Sequence, residues 1–214
     1  GVLAKPAEST SMIAHFAAKL MHQAGVPKPS LQLVAGFGAE IGPTLCSHSK
    51  VTGVCFTGSM ATAQAINKTM ARALPAHVPF IAETGGLNVM IVDSTALPEQ
   101  AVRDVLASAF QSAGQRCSAL RVLYVQADIA PSFTKMLYGA MKELIVGDPS
   151  RADCDVGPVI DQVAQEKILA HIARGRVLFQ TSAPKNGTYV APTVLGVGGV
   201  ADLGEEIFGP VLHL

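Results

Sequence analysis

The sequence predicts an α/β chain with mostly parallel sheets, and three observations carry that prediction. Short β-branched or apolar runs alternate with longer stretches whose apolar residues recur every three or four positions, the pattern of βαβ units. Apolar residues make up 49% of the 214 and charged residues only 15%. The usual charged share is about 25%, and parallel strands buried on both faces account for such an excess. A composition shift at residues 83–87 then divides the chain into two lobes, 1–83 and 84–214.

From Ala7 to Ala24, the residues Ile13, Phe16, Ala17, Leu20, Met21 and Ala24 fall on one helical face. Ser9 or Thr10 can cap that helix, and Gly25 and Pro27 end it. Leu31 to Val34 is a short strand running into the glycine-rich turn Gly36-Phe37-Gly38-Ala39-Glu40-Ile41-Gly42. Val51 to Thr57 is a β-branched strand ending in Gly58-Ser59, and Met60 to Leu74 is a helix. Two apolar strands, Phe80 to Ala82 and Asn88 to Val92, flank Glu83-Thr84-Gly85-Gly86. Pro98 opens a helix to about Ser112, at the first turn where its missing N–H costs nothing. Leu120 to Val125 is a strand, and Ile129 to Val146 and Asp161 to Arg174 are helices. Val177 to Gln180, Thr188 to Val197 and Val211 to Leu214 are strand-like.

Composition excludes several functions. Sixteen basic and 16 acidic side chains give zero formal charge, so nothing supplies the basic excess that neutralises nucleic-acid phosphates. High apolar content and zero net charge also exclude a disordered chain. Mean hydropathy is +0.36, yet no run approaches the roughly 18 apolar residues of a membrane span. Cys46, Cys55, Cys117 and Cys154 form no CxxC pair, and the six histidines form no HxxxH pair, so no metal site is expected. So few cysteines point to a reducing, cytoplasmic compartment. The chain starts at Gly1 without an initiator Met and stops in an apolar run at Leu214, as a piece of a longer protein would.

Four local patterns hold chemistry. The GxGxxxG turn at Gly36 to Gly42 suits either a phosphate or an ordinary tight turn. Thr57-Gly58-Ser59 before a helix suits a phosphate or a plain N-cap by Ser59. Cys117 lies in a small-residue stretch between a helix and a strand, where Arg116 and local N–H groups favour a nucleophilic thiolate; the alternative is an inert core thiol. Glu83 ends an apolar strand, where a half-buried carboxylate serves as a general base; the alternative is a solvated loop acid.

Taken in order, Lys5-Pro6-Ala7-Glu8, Phe56-Thr57-Gly58-Ser59, Glu83-Thr84-Gly85-Gly86, Gly114-Gln115-Arg116-Cys117 and Glu206-Ile207-Phe208-Gly209-Pro210 resemble the signature blocks of the aldehyde dehydrogenase superfamily. The stretches Ile81 to Asn88, Ser108 to Arg121 and Asp155 to Asp161 narrow the resemblance. They are similar to the glutamate γ-semialdehyde (1-pyrroline-5-carboxylate) dehydrogenase module of bacterial bifunctional proline-utilisation proteins. The resemblance implies an incomplete aldehyde dehydrogenase fold made of parts of two Rossmann-like lobes. Residues 1–83 are then the C-terminal part of an NAD-binding domain, and 84–214 the N-terminal part of a catalytic, thiol-bearing domain.

Roles follow from the same resemblance. Cys117 is the nucleophile and Glu83 activates the hydrolytic water. Lys5 and Glu8 bind the adenosine ribose of NAD, Gly58 and Ser59 the pyrophosphate, and Glu206 the nicotinamide ribose, with Phe208 against the nicotinamide. Ser118 contacts the aldehyde substrate, and the Cys117 N–H holds the oxyanion. Expected partners are a small-molecule aldehyde, copies of the chain itself in self-association or an oligomer, and a fused or associated proline dehydrogenase. The family's oxyanion-hole asparagine and substrate-carboxylate loop have no counterpart in the 214 residues, the segment Ile172 to Arg176 is short, and Met60-Ala61 stand where the family has Thr-Glu. A second reading is therefore a truncated, non-catalytic remnant that at most binds nucleotide or a partner.

Overall fold

Val2–Ala4 (β1) and Leu31–Leu33 (β2) pair in parallel in the computed structural model, which describes residues 1–214. Between them runs α1 (Ser11–Gln23). There follow α2 (Gly38–Ser47), β3 (Val54–Gly58), α3 (Met60–Ala73) and β4 (Phe80–Thr84). Strands β3 and β4 pair in parallel along their whole length, with Thr57 opposite Glu83. These elements make one compact unit, Gly1–Thr84.

This unit departs from the sequence expectations in several places, among them β4, which runs on through Glu83 to Thr84 rather than ending at Ala82. Strand β1 was not foreseen, because three residues before Lys5-Pro6 are too few to show a period. The helix expected from Ala7 begins at Ser11, after a separate turn of 3-10 helix at Glu8–Thr10. Neither Ser9 nor Thr10 caps it; the Thr10 hydroxyl instead donates to the Ala7 carbonyl at 3.2 Å. The strand expected from Val51 starts at Val54, since the Val51 N–H turns back to His48 O. The glycine-rich turn closes by Phe37, so Gly38 and Gly42 lie within α2. The apolar stripe of α1 exists, but the unit does not bury it: Ile13 is 64% and Phe16 53% exposed. Its buried apolar residues are only Cys46, Ala63 and Met70.

The second unit, Gly85–Leu214, contains β5 (Val89–Val92), α4 (Pro98–Phe110), β6 (Val122–Val125), α5 (Ala130–Lys142), α6 (Gln162–Arg174), β7 (Arg176–Gln180), β8 (Thr193–Gly196) and β9 (Val211–His213). The strands form one sheet in the order β5-β6-β9-β8-β7, parallel except for the β7–β8 pair. Pro98 sits in the first turn of α4 as expected, and the Asp161 carboxylate caps α6 by accepting the Ala164 N–H at 2.8 Å. Helix α5 stops at Lys142 rather than Val146, because Val146 forms a bridge with Val156. Strand β8 begins at Thr193 rather than Thr188, because the Thr188 carbonyl accepts the Val159 N–H.

The core lies here. Val105 and Phe110 of α4, Leu137 and Met141 of α5, and Ile168 of α6 pack with Leu123, Val194, Leu195, Val211 and Leu212 of the sheet. Each such side chain contributes about 1.5–3 kcal/mol when fully buried. Helix α4 ends at Phe110 rather than Ser112, because the chain then enters the left-handed region at Ser112 (φ 54°), Ala113 (φ 53°) and Gly114 (φ 66°). A side chain in that region costs about 1–2 kcal/mol per residue. At Gly114 it is excluded outright, since a Cβ would strike the carbonyls of Gly209 and Ala109.

Candidate active site

In the first unit, the segments that follow β1 and β2 meet around one carboxylate. Glu8 Oε1 accepts the Gly38 N–H at 2.7 Å and lies 3.2 Å from Lys5 Nζ. Gly38 is the first residue of α2, so an internal anion occupies the helix N-terminus that the glycine pattern suggested for a phosphate. Hydrogen bonds from the backbone N–H groups of Glu8 and Gly38, and then from Lys5, pull the Glu8 carboxyl down to about 2. Lys5 also bonds the Pro6 carbonyl at 2.6 Å and the Gly36 carbonyl at 3.3 Å. At the end of β3, Ser59 is the N-cap of α3, its Oγ accepting the Thr62 N–H at 3.2 Å. A Cβ at Gly58 would strike the Phe56 ring. Glu83, one register step from Gly58 on β4, is exposed, so the half-burial expected of it is not found.

In the second unit, Cys117 and Ser118 are exposed and follow the left-handed turn. The Asn88 amide holds this segment by donating to Cys117 O at 2.7 Å and Ala119 O at 2.9 Å. The Arg116 guanidinium, expected to favour the thiolate, bonds Ser112 Oγ at 3.2 Å and Gln111 Oε1 at 3.0 Å and so pins the turn instead. Gln115 Oε1 accepts the Ile160 N–H at 2.9 Å.

Glu206 and Phe208 are gathered by Arg121, which is fully buried. Arg121 Nε and Nη2 reach Glu206 Oε1 at 3.0 and 2.8 Å, and its guanidinium carbon lies 5.3 Å from the centre of the Phe208 ring. Glu206 Oε2 rests on Gly85, where any side chain would collide with it. Sequence reasoning missed Arg121 and Asn88. The available signal was a lone arginine inside the apolar run Ala119 to Val125, which had to be buried with a partner.

The whole chain, residues 1–214, matches the aldehyde dehydrogenase family. The chain belongs to the aldehyde dehydrogenase family. Within it, the chain is 49% identical to the bifunctional protein PutA of Salmonella typhimurium, covering 100% of this chain and 17% of that protein. It is 34% identical to the 1-pyrroline-5-carboxylate dehydrogenase of Bacillus mycoides, covering 99% of this chain and 43% of that protein. Among solved aldehyde dehydrogenase folds, a Bradyrhizobium japonicum proline utilization A variant superposes with a TM-score of 0.95 at 50% identity, covering 100% of this chain and 22% of that one. Betaine aldehyde dehydrogenase of Staphylococcus aureus, in complex with NAD+, gives a TM-score of 0.90 at 30% identity, covering 99% and 44%. The chain thus spans less than half the length of these aldehyde dehydrogenase relatives. The resemblance expected from the motif blocks is borne out, and so is the fold class, an incomplete aldehyde dehydrogenase fold with mostly parallel sheets. No helix is long and apolar enough to cross a membrane.

Proposed function

We propose that this chain is the cofactor-binding and thiol-bearing middle of an NAD-dependent dehydrogenase that oxidises L-glutamate γ-semialdehyde, the open form of 1-pyrroline-5-carboxylate, to L-glutamate in proline catabolism. The observation that carries the reading is Cys117: an exposed thiol at the end of a strained turn, in a chain that matches its family end to end. Residues 1–83 belong to the NAD-binding domain and 84–214 to the catalytic domain. The residues present fit NAD. Glu8 and Glu206 each offer a carboxylate, which accepts hydrogen bonds from vicinal ribose hydroxyls and disfavours a 2′-phosphate. Lys5 assists Glu8. Gly58 and Ser59 lead into a helix of 14 residues whose first N–H groups suit a pyrophosphate. Phe208, 45% exposed, offers an apolar face to the nicotinamide.

The chemistry of the chain's own residues follows. The Cys117 thiolate attacks the aldehyde carbon and forms a hemithioacetal, whose oxyanion takes a hydrogen bond from the Cys117 N–H. Ser118 contacts the substrate. Bound NAD supplies the hydride acceptor. The acyl group is then a thioester on Cys117; Glu83 removes a proton from water, the resulting hydroxide attacks the thioester carbonyl, and the carboxylate product leaves as the thiolate is released. Self-association, a proline dehydrogenase fused or associated, and a cytoplasmic site belong to the same proposal.

The test is NADH formation by the chain from NAD and the semialdehyde, beside a Cys117→Ala control. Expected is a rate that falls to background in the control. If the native chain forms no NADH and its Cys117 labels no differently from the other three cysteines, the enzymatic reading fails. NAD binding by calorimetry without turnover favours the non-catalytic reading.

A further inference from the structure

The guanidinium of Arg121 does more than neutralise one buried acid. Its hydrogen bonds divide between two segments far apart in sequence. Nη2 donates to Arg116 O at 3.1 Å, in the peptide that joins Arg116 to Cys117. Nη2 and Nε both donate to Glu206 Oε1, and Nη1 donates to Gly209 O at 3.2 Å. The ring of Phe208 lies against the same group. Arg121 itself is held at both ends of its peptide: its N–H goes to Asn88 O at 3.0 Å, and its carbonyl accepts the His213 N–H and faces His213 Nδ1, each at 2.9 Å. A planar fork with five donors can span these acceptors at once; an ammonium cannot. Gly114 and Gly209 add a backbone contact too close for any side chain between the same two segments.

We infer that Arg121 is a positioning residue: one buried guanidinium locks the Cys117-bearing segment to the Glu206–Gly209 segment, so that the nucleophile and the residues set for the nicotinamide end of NAD move as one piece. This rests on the roles proposed above for Cys117 and Glu206. Both bonds to the carboxylate fall on Oε1, so the lock engages Glu206 through one oxygen.

The lock is testable without turnover, by the rate at which iodoacetamide alkylates each cysteine, read by mass spectrometry of the peptides. Cys154 lies in the same unit, half-buried with its thiol on Gly147 O at 3.2 Å, and serves as the control for loss of fold. Glu206→Ala frees the guanidinium although Glu206 makes no hydrogen bond to the Cys117 segment itself. The Cys117 rate is expected to change at least threefold while the Cys154 rate stays constant, and Glu206→Gln, which keeps an acceptor oxygen, is expected to restore the native rate. Arg121→Lys is expected to resemble Glu206→Ala. If that variant does not fold, the two Glu206 variants decide alone. An unchanged Cys117 rate in Glu206→Ala, or a change shared equally by Cys154, overturns the inference. Absence of NADH formation with the alkylation coupling intact overturns the enzymatic reading and leaves the lock standing.

Discussion

Asn88 spends its side-chain amide on two carbonyls, those of Cys117 and Ala119, while its own carbonyl accepts the N–H groups of Arg121 and Val122. It therefore staples the segment after the left-handed turn to the start of β5. Asn88→Ala removes one exposed and one part-buried hydrogen bond, each worth about 0.5–1.5 kcal/mol net. The urea midpoint of the second unit is expected to fall accordingly, and an unchanged midpoint would show that the staple holds nothing. At this scale the sequence is legible where chemistry depends on residue type in a short block, as at Cys117, Glu83 and Glu206. It does not name distant partners: the apolar run around Arg121 demands a partner for a buried charge, but nothing near Asn88 or Arg121 in the chain identifies the carbonyls and the carboxylate they serve. Glu83 shows the converse, since its place at the end of a strand was readable and its exposure was not.

Among the elements, α2 is started by a side chain 30 residues upstream, the carboxylate of Glu8 on the Gly38 N–H. Glu8→Gln weakens that bond by removing the charge, so the Gly38 amide is expected to exchange with solvent faster in the variant at neutral pH. Equal exchange rates would show that the helix start does not depend on Glu8. In the native chain the Glu8 carboxyl is lowered from 4.5 to about 2, so its contribution is fully present above 4.5 and fades only as pH falls through about 2. The contact between α6 and β9 is acid-sensitive in the same direction, with two histidines in place of a carboxylate. His171 Nε2 and His213 Nε2 are 2.9 Å apart, and His213 Nδ1 faces Arg121 O. Burial above all holds both below 6.5; for His171 the charge of Arg174 adds to it against a weaker upward pull from Glu205, and for His213 the upward pull of the Arg121 carbonyl comes next, ahead of the downward pushes from the charges of His171 and Arg121. The unfolded chain takes up these protons first, so the pair's contribution is complete above 6.5 and is lost as pH falls toward the lowered values. The urea midpoint is expected to drop between about pH 7.5 and about pH 5.5, and His171→Gln, whose amide still donates to His213, is expected to flatten that drop. Helices and strands themselves were readable from periodicity and from Pro98 and Asp161. Their ends were not, because long-range bonds such as Val159 N–H to Thr188 O set them.

For the whole chain, the apolar excess divides unevenly. The second unit buries Phe110, Phe133, Leu137 and their neighbours, as a sheet covered by helices requires, whereas α1 in the first unit buries no residue. Met12, at 89% exposure, joins Ile13, Phe16, Leu20 and Met21 in an apolar stripe along that helix. Pattern alone could not distinguish a stripe that is covered from one that is not, because period reports amphipathicity and not what lies against it. Exposed stripes of this kind favour association, and zero net charge removes the repulsion that would oppose it. The chain is therefore expected to self-associate, with a light-scattering mass above 22.2 kDa that rises with concentration. Replacing Ile13 and Phe16 together by Lys removes two side chains, each worth about 1.5–3 kcal/mol on burial, and is expected to weaken association at least about tenfold. The second unit's unfolding should not change, since neither residue belongs to it. A native chain that remains a 22.2 kDa monomer at high concentration refutes the expectation, and a double variant that associates as strongly as the native chain shows that another surface is responsible.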